Sequence, residues 1–366
     1  MSTHRQADDF DPPSPRKMFP QNARIDVHHH FFLDAQKKAK KNLEVGWRTP
    51  DENLPWKPQT SLAAMDKLGV QITILSPPAI SSTSPGAENR TEVRQQNIYA
   101  SQLCAAYPSR FGFFAGLPFL DDVKGSLEEI AFSLDVLGAD GVALISSYGD
   151  GNSAKYVADD LYDPIWEELD RRHAVVFLHG AQTPSSTPYP HPWLGVPVSE
   201  VPNETYKAAA HLVVSGKKRR FHNVNIILAH LGGSTPFLAP RVAALSHYMG
   251  CPLTPGQIVE DFKSFYYETA LSAHETTLTA MATFVPSDRL LFGTDFPAVS
   301  SKTAEWYTEN LENYFAGRPL DLANIMRDNA LRLFPNLGKS KDQCPSNGHQ
   351  ISASDQLHTG PCTVNL

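Results

Sequence analysis

Only four cysteines occur in 366 residues. Cys104, Cys251, Cys344 and Cys362 lie far apart, with neither the density of a disulfide scaffold nor the spacing of a zinc finger. They read as reduced thiols, so the cytosol is the expected compartment. No run of about 18 apolar residues occurs, and residues 1–23 lack the apolar stretch of a signal peptide, so no membrane-spanning helix is expected. A basic stripe is missing too. The formal charge is −7, and the two cationic runs, Lys37 to Lys41 and Lys217 to Arg220, read as solvated helix faces or helix ends. No nucleic-acid partner is expected. What is present is a hydrophobic content of 41% over 366 residues, enough to bury a large core in one domain.

Polar residues 1–23 and the Gly-, Ser-, Lys- and Asn-rich stretch 336–366 read as flexible ends around a folded unit at 24–335. Within that unit the apolar runs 24–28, 71–76, 112–118, 141–146, 174–179, 225–230, 264–269 and 289–294 are candidate strands. Helical patterns at 91–107, 127–137, 162–172, 204–218, 236–248 and 322–334 are interleaved with them. Eight strands alternating with helices predict an α/β fold, a (β/α)8 TIM barrel. A doubly wound sheet is the weaker alternative, because no Gly-x-Gly-x-x-Gly turn follows the first strand. Two insertions stand out at the mouth of such a barrel, after strands 1 and 5. Residues 31–59 carry Trp47, Arg48 and Trp56, and residues 180–203 carry Tyr189, His191 and Trp193; both are candidate substrate walls.

Ile25-Asp26-Val27 runs straight into His28-His29-His30. Side chains alternate along a strand, so His28 and His30 share one face and His29 takes the other. His179, His230 and Asp295 end or follow three further candidate strands, and all converge on one barrel mouth. A lone histidine ending an apolar run is usually a satisfied structural side chain. Five such groups together are hard to explain that way, because buried unpaired imidazoles and carboxylates are costly. Three imidazoles and a carboxylate suit a catalytic Zn²⁺ or Mn²⁺, with the fifth group free to act as a catalyst. Gly232 and Gly233 after His230 let the backbone turn tightly.

The ordered set Asp26-Val27-His28-His29-His30, Phe177-Leu178-His179, Ile227-Leu228-Ala229-His230-Leu231-Gly232-Gly233, Leu291-Phe292-Gly293-Thr294-Asp295-Phe296-Pro297 and Asn329-Ala330-Leu331-Arg332-Leu333-Phe334-Pro335 resembles the metal-dependent amidohydrolase superfamily over roughly 24–335. Within it the chain is similar to the non-oxidative decarboxylases related to aminocarboxymuconate-semialdehyde decarboxylase. Trp47, the Trp56 region and Met65-Asp66-Lys67-Leu68-Gly69-Val70 resemble the 6-methylsalicylate decarboxylases. The resemblance implies His28, His30, His179 and Asp295 as ligands, with His230 beside the metal as an acid/base or hydrogen-bonding group. One ion is implied, Zn²⁺ with Mn²⁺ as the alternative. Members with two metals carry a bridging Lys or Glu at the fourth strand, which here reads Gly-Val-Ala-Leu-Ile-Ser-Ser-Tyr, with Lys155 well into the next loop. Related barrels commonly form dimers, so a homodimer is expected.

The implied reaction is protonation of the carboxyl-bearing ring carbon of a small aromatic acid, by Asp295 or through His230, followed by loss of CO₂. Arg48 and Trp47 are candidates to hold the carboxylate and the ring, and His191 and Trp193 to line the substrate site. The rival reading is a mononuclear metal-dependent hydrolase of a lactone or amide using the same ligands.

Overall fold

A computed structural model of the chain describes residues 23–79, 84–182 and 190–337. The flexible ends expected at 1–23 and 336–366 fall almost wholly outside these residues, as does Tyr189. Eight parallel strands form the central sheet: β1 (Arg24–His30), β2 (Val70–Ser76), β3 (Phe111–Gly116), β4 (Gly141–Ile145), β7 (Val175–His179), β8 (Asn225–Leu228), β9 (Tyr266–Glu268) and β10 (Leu290–Leu291). A two-stranded antiparallel ribbon, β5 (Ser147–Tyr148) with β6 (Lys155–Tyr156), follows β4. Each barrel strand pairs with the next in order. The strands are apolar on both faces because the outer face packs under helices and the inner face on the opposite strands.

The barrel closes between β1 and the segment that follows β10. Val27 N–H donates to Phe292 O at 3.0 Å, Asp295 N–H to His28 O at 2.8 Å, and His30 N–H to Phe296 O at 2.8 Å. Asp26 adds a side-chain clasp, accepting from Thr294 Oγ1 at 2.6 Å and Thr294 N–H at 3.1 Å. The eight-stranded barrel expected from the alternation is therefore the fold.

Inside the barrel, Ile25, Val27, Ile72, Ile74, Phe114, Val175, Phe177, Ile227 and Leu291 form one apolar cluster, which Phe334 and Leu337 join. Phe114 stacks on Phe177 at 5.5 Å and meets Phe334 edge-on at 5.8 Å, filling the barrel as a packed core. A larger cluster lies between strands and helices. It includes Trp166 of the helix Asp163–Arg171, whose Nε1–H donates to Val157 O at 2.7 Å.

The stretches 31–59 and 180–203 are not plain loops. The first holds helix α1 (Ala35–Val45), started by Asp34, whose carboxylate accepts from Gln36 and Lys37 N–H, and ended by Gly46 at φ 68°. Helix α2 (Pro58–Leu68) follows. The second runs into helix α3 (Val196–Val214), which starts well before the expected residue 204. Pro197 sits in the first turn, and Pro202 is accommodated inside the helix. Val45 of α1 packs on Val196 and Val201 of α3 with Trp47 beside them, joining the two stretches above the mouth. No helix among the described residues is long and apolar enough to cross a membrane.

Candidate active site

The register of β1 and β2 shifts between Asp26 and His29. Beyond that point His29 turns outward, bonding Asp26 at 3.0 Å and Ser61 of α2 at 2.8 Å. His28 and His30 turn inward and meet, Nε2 to Nε2, at 3.1 Å. Asp295 Oδ1 lies 3.4 Å from His28 Nε2 and 3.3 Å from His30 Nε2. His179, ending β7, and His230, just beyond β8, bring their rings within 5.1 and 4.9 Å of the His28 ring. The five groups predicted from the sequence are thus one buried cluster.

Each imidazole is oriented by its second nitrogen. His28 Nδ1–H donates to Glu268 at 2.8 Å, His179 Nδ1–H to Gly180 O at 2.8 Å, and His230 Nδ1–H to Ala270 O at 3.0 Å. His30 Nδ1 lies 3.0 Å from Ser76 Oγ. In every case Nε2 is left for the centre of the cluster. Glu268, fully buried at the end of β9, also accepts the backbone N–H groups of His230 and Ala270. His230 and Asp295 are held at φ 56° and 59°, a left-handed conformation that non-glycine residues adopt at a cost and that clusters at functional sites.

The electrostatics favour positive charge at the centre. Burial opposes protonation of His28, but Glu268 and then Asp295 outweigh it and raise its pKa to about 10. Burial also pushes the Asp295 carboxyl upward, yet His28 and His30 hold it well below the usual carboxylate range. His30 and His179 are lowered, chiefly by burial, which keeps them neutral donors. Ligand atoms about 2.0–2.2 Å from one ion lie about 3–3.5 Å from each other. The separations of 3.1, 3.3 and 3.4 Å among His28, His30 and Asp295 fit that spacing. The donor atoms of His28, His30 and His179, and separately those of His28, His230 and Asp295, lie within 4.8 Å of one another.

The cluster forms the floor of a cavity of about 230 Å³, below the roughly 300–1,000 Å³ of drug-sized sites and suited to a single ring. Phe32, Trp47, Pro78, Val201, Leu271 and Val299 give it apolar walls, and Lys38, Gln182, Ser272, Thr303 and Tyr307 are polar points on them. Of the expected wall residues that are described, only Trp47 lines it, pinned by Nε1–H donating to Ala298 O at 3.1 Å. Arg48, His191 and Trp193 are exposed and lie outside the lining. Past the left-handed turn at Gly46, Trp47 faces inward and its neighbour Arg48 outward, while His191 and Trp193 pair with each other, ring to ring, at 5.0 Å. Two residues were missed. Glu268 ends a strand at the same mouth as the histidines, which is the signal that could have found it; Lys38 was masked by its exposed lysine neighbours.

The chain matches the amidohydrolase family over residues 25–335. It is 36% identical to the 6-methylsalicylic acid decarboxylase of Aspergillus aculeatus, covering 87% of this chain and 98% of that protein. It is 29% identical to the gamma-resorcylate decarboxylase of a Rhizobium species, over 85% and 98% of the two chains. The crystal structure of a dihydroxybenzoic acid decarboxylase from Polaromonas sp. JS666, with bound manganese and 2-nitroresorcinol, superposes with a TM-score of 0.74 at 24% identity, over 86% and 97% of the chains. Barrel, buried His/Asp cluster and sequence likeness agree, and the chain belongs to the amidohydrolase family.

Proposed function

We propose that the chain is a metal-dependent, non-oxidative decarboxylase of a small hydroxy-aromatic acid, converting 6-methylsalicylate to 3-methylphenol and CO₂ in polyketide secondary metabolism. The observation that carries this reading is a buried cluster of four histidines and one aspartate on the floor of an apolar-walled cavity of about 230 Å³, sized for one ring. The similarity to decarboxylases of hydroxybenzoates supports it and favours it over a lactone or amide hydrolase.

His28, His30, His179 and Asp295 would hold one divalent ion, Zn²⁺ by the nitrogen-rich donor set, with Mn²⁺ the alternative. When bound, that ion supplies positive charge that orients the acid and phenol oxygens and stabilises charge on them. The protein's own groups handle the proton. A new C–H bond forms at the carboxyl-bearing ring carbon, the C–C bond to the carboxylate breaks, and its electron pair restores the aromatic ring. Asp295 is ionised, so as the acid it must first take a proton from the substrate phenol or from His230. His230, with Nδ1–H committed to Ala270 O, presents Nε2 to the cavity for that transfer. Trp47 supplies an apolar face for the ring.

The proposal takes the protein as a cytosolic homodimer. The exposed Phe237, Leu245, Tyr248 and Met249 on and just beyond the helix Thr235–Tyr248 support a covered face, and size-exclusion chromatography with light scattering tests it. The reaction is tested by CO₂ release and loss of substrate absorbance with 6-methylsalicylate, on metal-loaded protein with and without chelator. Metal-dependent release is expected; metal-loaded protein that releases no CO₂ from this or related hydroxybenzoates overturns the reading.

A further inference from the structure

Helix α1 buries a stripe at Lys38, Asn42 and Val45, spaced by four and three residues, so one lysine of the run 37–41 turns inward while its neighbours stay outside. Lys38 is only 5% exposed. Its ammonium has no hydrogen-bond or ion-pair partner among the described residues; the aromatic face of Phe32, with Nζ 4.8 Å from the ring centroid, is its one close charge-compatible contact. Lysine is almost never buried without a carboxylate, because losing hydration costs more than a ring face returns. The ammonium lines the same cavity as His30, His179 and Asp295. The neighbouring Lys41 shows the ordinary arrangement, paired with Glu44 at 3.4 Å. A buried cation facing this cavity, with Asp295 on the lining but beyond ion-pair distance, is a half-made ion pair.

We propose that Lys38 is the residue that selects anionic substrates at this site, its ammonium pairing with the carboxylate of the aromatic acid while Phe32 holds the lysine in place. The inference rests on the decarboxylase reading and deepens it: the cation expected at Arg48 is supplied by Lys38. The chemistry sets the kinetic signature. In the step that protonates the ring carbon the carboxylate still carries its charge, so the ion pair persists from the bound acid into that transition state and is lost only when neutral CO₂ leaves. Lys38 therefore acts on KM and on the choice of acid over neutral analogue, and far less on kcat. It also leaves the neutral phenol product without a charged hold.

The test compares wild type, Lys38→Met, Lys38→Arg and the exposed control Lys40→Met, each with metal content measured. Methionine matches the length of lysine in an apolar site, and Lys38→Gln is a second neutral variant. Losing a charge-assisted bond predicts a KM for 6-methylsalicylate raised roughly 10- to 100-fold in both neutral variants, with kcat within about threefold. Lys38→Arg recovers part of the loss and Lys40→Met leaves KM unchanged. Calorimetry with salicylate and its neutral amide gives a readout apart from turnover: wild type prefers the acid, and the neutral variants lose most of that preference. Unchanged KM and unchanged preference in metal-replete Lys38→Met overturn the proposal while leaving the decarboxylase reading intact. Lys38-dependent binding of salicylate without CO₂ release upholds the role of Lys38 and sinks that reading. Failure of wild type to bind any aromatic acid overturns both.

Discussion

Glu268→Gln is the sharpest perturbation of this site, because it changes almost no volume and removes one charge. The carboxylate is fully buried and receives three donors: His28 Nδ1–H at 2.8 Å and the His230 N–H on one oxygen, the Ala270 N–H at 2.7 Å on the other. An amide offers a single oxygen. Whichever way it is turned, its NH₂ faces at least one N–H, donor against donor, and His28 loses the anion that orients it. Losing a charge-assisted bond of this kind costs about 1.5–3 kcal/mol. Carboxylates that orient metal-ligating histidines are typically worth 10–100-fold in metal affinity or activity. Chelator competition should therefore show metal affinity about 10- to 100-fold weaker, with a parallel fall in kcat/KM at limiting metal. A metal Kd and a kcat/KM both within twofold of wild type would refute the assignment of Glu268 as the group that positions His28.

Gly293→Ala places a methyl group 2.1 Å from Glu268 Oε2 and 2.9 Å from His28 Cβ, so the carboxylate or β1 must shift. Overpacking costs about 1–3 kcal/mol; the purified variant should contain little metal and melt earlier, and full metal content would contradict the close approach. At the surface, hydrogen bonds from Arg171, opposed by burial and joined by Arg172, hold Glu168 at about 2 instead of its ordinary 4.5. A depressed carboxylate stabilises the fold above its unfolded pKa, and the contribution is lost as pH falls toward about 2. After discounting for solvent screening, Glu168→Gln should cost about 1–2 kcal/mol in urea melts at pH 7, and the gap to wild type should close in strong acid; a gap independent of pH refutes the pairing. Burial lowers Lys38 to about 8, with Asp295 raising it and Lys41 lowering it; His30 is the titratable ring that feels its charge. The ammonium is lost as pH rises through that value, so KM for the acid should climb above about pH 8 in wild type and stay flat there in Lys38→Met.

Much of this was legible because parallel barrel strands are apolar on both faces and so stand out as runs. The fifth run, expected at 174–179, is β7 at Val175–His179, and the last, expected at 289–294, shrinks to Leu290–Leu291 because closure onto β1 is made by single bonds beyond it. The metal-type residues were visible because a histidine or aspartate at the end of an apolar run has no cheap structural reason to be there. Helices gave weaker signals: α1 reads as a polar, lysine-rich stretch, and only its packing shows that positions 38, 42 and 45 face inward. The left-handed backbone at His230 and Asp295 left no trace, since neither is glycine. Arg48 illustrates the limit, as one residue of backbone turn decides whether a side chain meets substrate or water.

The clasp between Asp26 and Thr294 joins residues 268 apart in sequence. At ribosomal rates of about 5–20 residues per second, His28 and His30 wait roughly 13–54 s for Asp295 to be made. Through that interval the nascent chain carries two histidines on an unpaired strand edge, able to pair with other chains but unable to hold an ion in the finished geometry. Metal loading is in this sense a reward for complete synthesis, and a truncated product that lacks the last strand forfeits both the seal of the barrel and the cofactor at once.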